Sequence, residues 1–191
     1  MLDSNAEIAM TSVFIGGSRG ISRLNPVIQE RLDDLMLRGC LILIGDASGA
    51  DKMVQRYLAQ RAYRNVVVYC MSHCRNNLGQ WPTNAFEGGS RTRDFAYYAM
   101  KDLAMARDAK CGVMLWDGAS KGTLHNIENL IGAGKKVLVY MAETRTFVKV
   151  NDRSSLDGLL GQCDPSAIES ARAQIHRKLS AGGQMSLTAN R

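Results

Sequence analysis

Three short glycine-bearing segments of this chain have the residue types and spacing to hold an anion. Each follows an apolar run. The first is Gly16-Gly17-Ser18-Arg19, after Val13-Phe14-Ile15. The second is Gly45-Asp46-Ala47-Ser48-Gly49-Ala50-Asp51, after Leu41 to Ile44. The third is Trp116-Asp117-Gly118-Ala119-Ser120-Lys121-Gly122-Thr123, which leads into a helical pattern. An apolar strand that ends in glycine and hydroxyl residues leaves bare backbone N–H groups at its carboxyl end, where open α/β sheets bind phosphorylated ligands. In the first loop Gly16, Gly17 and Ser18 supply small donors, and Arg19 supplies a guanidinium able to grip a phosphate with two prongs. In the third, Ser120, Gly122 and Thr123 precede a helix whose dipole favours an anion. The competing reading there is plain helix capping by Ser120 or Thr123. Trp116 could stack on a base while Asp117 accepts from ribose hydroxyls, or Trp116 could be core and Asp117 a turn residue. Asp117, Asp46 and Asp51 are the carboxylates available for hydrolysis, although Asp51, in the first turn of a helix, also suits a structural role. Arg91, after Gly88-Gly89-Ser90, either reaches the same crevice or stays on the surface.

Other chemistry is thinly represented. His73, His125 and His176 form no Ser/His/Asp or Cys/His arrangement. Cys40, Cys70, Cys74, Cys111 and Cys163 are odd in number and sit at the ends of apolar runs or alone, so they read as reduced thiols rather than disulfides. Cys70, His73 and Cys74 cluster, but no second pair lies at zinc spacing, so no metal is expected. Nothing implies a cofactor. The net charge of +6 is spread along the chain without a basic run or interleaved aromatics. Attraction to small anionic molecules explains the sign as well as a nucleic-acid partner does, and a solvated basic surface with no partner explains it better still.

The elements that must position these loops alternate. With 191 residues, 46% of them hydrophobic, the chain should build one sizeable core. No run reaches the length of a membrane span, and Met1 to Met10 lacks the layout of a secretion signal, so a cytoplasmic protein is expected. Strands are predicted at Thr11 to Ile15, Leu41 to Ile44, Val66 to Tyr69, Gly112 to Trp116 and Val137 to Tyr140. Between them lie a helix started by Asn25-Pro26 and stopped by Gly39, and helices over Ala50 to Arg61, Arg91 to Ala106 and Leu124 to Ala133. Residues 71–90, which carry Asn76, Asn77, Gly79, Pro82, Gly88 and Gly89, read as a lid or mobile loop. Alternation of this kind predicts a three-layer, doubly wound parallel α/β sheet of strand order 3-2-1-4-5. Its switch point would bring the first and third glycine loops face to face. An N-terminal arm (1–10) precedes the ligand-binding domain (11–141). An edge strand at Thr146 to Val150 and helices over Ser154 to Leu160 and Ser166 to Leu179 form an extension (142–180), and 181–191 reads as a disordered tail.

On the motifs Gly16-Gly17-Ser18-Arg19, Gly45-Asp46-Ala47-Ser48-Gly49-Ala50-Asp51 and Trp116 to Thr123, the chain resembles the SLOG superfamily, the Rossmann-like group that includes the DprA and LOG proteins. It is most similar to the YspA/YpsA-related branch, in which another arginine stands where Arg91 does. The resemblance spans residues 11–141. It implies a pocket for a nucleotide or a derivative such as ADP-ribose, held by a sensor or binding protein, and a homodimer. LOG enzymes cleave the N-glycosidic bond of nucleoside monophosphates with glutamates that follow the glycine-threonine pair. Here Gly122-Thr123 is present but His125-Asn126 stands in place of the glutamates, and Glu128 points elsewhere on the helix. Hydrolysis of an N-glycosidic or phosphoester bond is therefore the alternative, and a DprA-like nucleic-acid-binding module the second alternative.

Overall fold

The computed structural model describes residues 10–87 and 95–187, with 178–187 as helix backbone only. A seven-stranded sheet runs in the order β4-β3-β2-β1-β5-β6-β7. Its strands are β1 (Ser12–Gly17), β2 (Leu41–Gly45), β3 (Val66–Met71), β4 (Thr83–Phe86), β5 (Cys111–Trp116), β6 (Val137–Met141) and β7 (Thr146–Val150). All neighbours pair in parallel except β6 and β7. The predicted order 3-2-1-4-5 is thus the central run β3-β2-β1-β5-β6, flanked by one more strand on each side.

Period-two alternation sorts the strand side chains onto two faces, as a sheet covered on both sides requires. Val13, Ile15, Ile42, Ile44, Val113 and Leu115 pack under α1 (Pro26–Leu37) and α2 (Ala50–Gln60). Phe14, Leu43, Met114, Trp116 and Val139 pack under α3 (Phe95–Asp108), α4 (Lys121–Gly132), α5 (Arg153–Leu160) and α6 (Pro165–Leu187). Asn25 caps α1 by accepting from the Ile28 N–H at 3.1 Å, with Pro26 in the first turn, as the sequence predicts. The last helix continues past its predicted end at Leu179.

Two expectations need correction. The part of 71–90 that is described is not a lid. Trp81 is buried and donates its indole N–H to the Tyr63 carbonyl at 2.8 Å, and Asn77 brackets it through both its donor and acceptor atoms. Residues 83–86 then add β4 to the sheet edge in register with Val68 to Met71. The cysteines are not all thiols either: Cys70, at the end of β3, is disulfide-bonded to Cys74. Ser72, with φ 53°, turns the chain back and brings the two Cα atoms to 5.1 Å, within bridging range.

Candidate functional site

Because strand order reverses between β1 and β5, the loops leaving these two strands open away from each other's crossovers and leave a crevice. A cleft of about 480 Å³ lies there. Gly16, Gly17, Arg19, Asp51, Asp117, Ser120, Gly122 and Thr123 line it, so each of the three loops brings at least one predicted residue to the cleft. Close packing holds the loops together. A Cβ on Gly17 would overlap the Leu115 carbonyl and lie 2.8 Å from the Ala50 Cβ, so β1, β5 and the start of α2 meet at that glycine.

Ser18 is the knot of this arrangement rather than a free ligand hydroxyl. It is fully buried. Its Oγ accepts from the Asp117 N–H at 3.1 Å and lies 3.2 Å from the Thr123 hydroxyl. Its N–H donates to Leu115 and its carbonyl accepts from Ala50. One residue thereby ties the first loop to the third and to α2. Replacing Ser18 by alanine strands the Asp117 N–H and is expected to cost about 1–2 kcal/mol in urea denaturation; an unchanged midpoint would show that the knot is dispensable.

Helix α4 begins one turn earlier than predicted, which puts Lys121, Gly122 and Thr123 inside its first turn. Ser120 stands at the N-cap but makes no side-chain capping bond. Asp117 instead closes its own loop, accepting from the N–H groups of Ala119 and Ser120 at 3.1 and 2.7 Å. The N-terminal turn of α4 therefore faces the cleft without a side-chain cap. A Cβ on Gly122 would meet nothing within 4 Å, so the helix start is open to a ligand approaching the backbone. Arg19 is exposed at the rim.

Other predicted site residues sit elsewhere. Trp116 is fully buried against the core and donates its indole N–H to the Ser120 carbonyl at 3.1 Å, so it cannot stack on a base in the cleft. The strand's alternation decides this: Trp116 falls on the same face as Met114, beneath the helices. Gly45 is buried behind the cleft, where a Cβ would stand 2.5 Å from Asp51 Oδ2 and 2.9 Å from Lys101 Nζ. Its lack of a side chain makes room for those two groups. Asp46 is also buried there, and Arg91 lies outside the described residues.

In and behind the wall of the cleft, which Asp51, Lys101 and Asp102 line, the structure gathers charges into a network that the sequence did not announce. Arg75 forks onto Asp46 at 2.9 and 2.7 Å and adds its backbone N–H at 3.1 Å. Lys101, 3% exposed, bonds Asp102 at 2.7 Å and lies 3.9 Å from Asp46. Burial would raise the Asp46 carboxyl, but the Arg75 bonds and the Lys101 charge outweigh it and hold it below the usual range. Burial would likewise lower Lys101, yet Asp102, Asp51 and Asp46 hold it above the ordinary lysine value. For Asp51 burial dominates: although Lys101 pulls the other way, the carboxyl is pushed up to about 7. Lys101 was detectable in the sequence, since it occupies the inward i, i+4, i+8 stripe Tyr97, Lys101, Met105 of α3. Arg75, three residues past the tight turn at Ser72, carried no such signal. Tyr98 and Asn126 also line the cleft, and the buried Asn126 Oδ1 has no partner among the described residues. Glu128 is turned away and pairs with Arg172 of α6 at 3.0 Å.

No protein-family model matches the chain, and no curated protein matches its sequence. Among solved structures, DNA processing protein A from Helicobacter pylori, described there in its single-stranded DNA binding mode, superimposes with a TM-score of 0.53 at 15% identity. The match covers 87% of this chain and 81% of that one. At this identity the likeness is one of fold.

Proposed function

We propose that the cleft binds the phosphate of a nucleotide or nucleotide derivative such as ADP-ribose, and that the protein is a sensor or binding protein for it. The observation that carries this reading is the convergence of the Gly16–Arg19 loop with the uncapped first turn of α4 at the sheet's switch point. Backbone N–H groups of the α4 start would hold phosphate oxygens, and Arg19 would neutralise charge at the rim. Asp117, its Oδ1 engaged by its own loop, keeps Oδ2 for a sugar hydroxyl. A place for the chain in the SLOG superfamily, in its YspA/YpsA-related branch, belongs to this reading, supported by the three loop motifs and the shared fold. So do a cytoplasmic location and a homodimer, which rest on composition and resemblance; no described helix is long and apolar enough to cross a membrane.

The test is a mass-spectrometric time course with nucleoside monophosphates, ADP-ribose, NAD and cyclic nucleotides. Retention of one intact compound after desalting supports the binder. Release of free base or of a phosphate product favours the hydrolase instead. Arg19→Ala is expected to weaken the retained compound's Kd about tenfold, or about 1.4 kcal/mol, with the melting temperature unchanged; unchanged affinity would remove Arg19 from the site.

A second reading is favoured by the likeness to DNA processing protein A: the same face would bind single-stranded nucleic acid. Affinity for an oligonucleotide that falls steeply with salt, together with no retained small molecule, would replace the first reading with the second.

A further inference from the structure

Asp51 differs from the other carboxylates near the cleft. Both Asp46 oxygens are taken by Arg75. Asp117 Oδ1 is taken by its own loop and the residue is exposed. Asp51 is buried yet lines the cleft, in the first turn of α2, immediately after the Ala50 that packs on Gly17. Its Oδ2 accepts one bond, from the Ala47 N–H at 3.3 Å, and its Oδ1 accepts none among the described residues.

The charges around it are already balanced. From α3, Lys101 and Asp102 face it; from the loop after β2, Asp46; from the segment after β3, Arg75. Two cations thus meet two carboxylates, and an ionised Asp51 would be a surplus buried negative charge beside an anion site. Arg19 stands at the exposed rim, Lys121 lies across the cleft, and His125 of α4 is biased by burial toward its neutral form. The surplus is relieved by a proton.

We propose that Asp51 contacts the ligand's anionic group as a neutral carboxylic acid, donating its O–H to a ligand oxygen, so that an anionic ligand enters the cleft together with one proton. This rests on the cleft being an anion site, as proposed above, and adds a residue and a proton linkage to it. A carboxylate in the same place would repel the ligand. The acid supplies a hydrogen-bond donor next to the Lys101 ammonium, which also lines the cleft and whose charge is already shared by Asp102 and Asp46. Burial, which pushes this carboxyl up to about 7, makes the neutral form accessible near neutral pH.

The experiment uses ADP-ribose, whose pyrophosphate is esterified at both ends and does not titrate near neutrality, with inorganic sulfate as a second non-titrating anion. Calorimetry of the full chain in buffers of different ionisation enthalpy reads the protons taken up. At pH 8 the wild type is expected to take up close to one proton per ligand bound, and its affinity to fall about tenfold per pH unit above 7. Asp51→Asn, whose amide can still donate, is expected to bind with no proton uptake from this position and with a flat profile between pH 7 and 8.5. Binding by the wild type without proton uptake would overturn this inference while leaving the anion site standing. Failure of both anions to bind at any pH from 5.5 to 8.5 would overturn the anion site and this inference with it.

Discussion

Replacing Gly49 by alanine is expected to destabilise the protein by roughly 3 kcal/mol or more, the largest loss among single-methyl changes near the cleft. Two independent costs add. Gly49 sits at φ +81°, a left-handed conformation that an L side chain adopts at a penalty of about 1–2 kcal/mol. Its Cβ would also overlap the carbonyl oxygen and Cα of Arg19. That backbone cannot yield cheaply, because Ser18 beside it is bonded on every polar atom to Leu115, Ala50, Asp117 and Thr123. The close approach is what lets the start of α2 sit against the first loop, so the steric loss and the loss of the site are one event. Gly122→Ala is the matched control. It lies in the first turn of α4 with nothing within 4 Å of the added carbon. Its stability is expected to hold or to rise by up to about 1 kcal/mol, as glycine gives way to a better helix former. Urea denaturation of the two variants separates them. A Gly49→Ala midpoint equal to that of Gly122→Ala would mean that the loop and α2 are not locked together.

The same geometry explains what could be read in the sequence. The five inner strands were legible because both faces of a covered parallel sheet are apolar, so runs such as Val13 to Ile15 and Val113 to Trp116 stand out. β4 was not, because Thr83-Asn84-Ala85-Phe86 is an edge strand with alternate positions exposed, and its pairing with β3 supplies what its propensity does not. Trp116 could be read as a ligand platform or as core because the strand end is also the cleft mouth; its place beside Met114 on the helix-covered face settled it. Ser18 was read as a ligand hydroxyl, but that hydroxyl is engaged by contacts 99 and 105 residues away, which no local pattern encodes. The Cys70–Cys74 bridge depended on a positive-φ turn at Ser72, a residue type that does not advertise one. Asp46 and Asp51 were visible as a pair, but their opposite electrostatic fates depended on Arg75 and Lys101, which arrive from other elements.

Those opposite fates predict a pH profile. Asp46→Ala is expected to cost about 3 kcal/mol, toward the lower end for a broken buried pair because Arg75 keeps an exposed flank. Asp46 is 1% exposed, so its removal leaves the Arg75 fork unanswered and takes one of the carboxylates from the buried Lys101. It also loosens the segment after β3, whose Arg75 N–H bonds the same carboxylate. Because the folded state holds the Asp46 carboxyl below its ordinary 3.8, its contribution is present above that pH and is lost as pH falls through the folded value. Asp51 has the reverse sign. Its folded value near 7 lies above 3.8, so the native state binds the extra proton between the two, and stability declines as pH rises across that window. Melting temperature against pH should therefore fall on both sides of a mildly acidic maximum. Asp46→Ala should flatten the acid limb, and Asp51→Asn the limb between pH 4 and 7. A neutral-side limb that persists in Asp51→Asn would assign the decline to another group, and an acid limb that persists in Asp46→Ala would mean that the Arg75 fork does not hold this wall of the cleft in place.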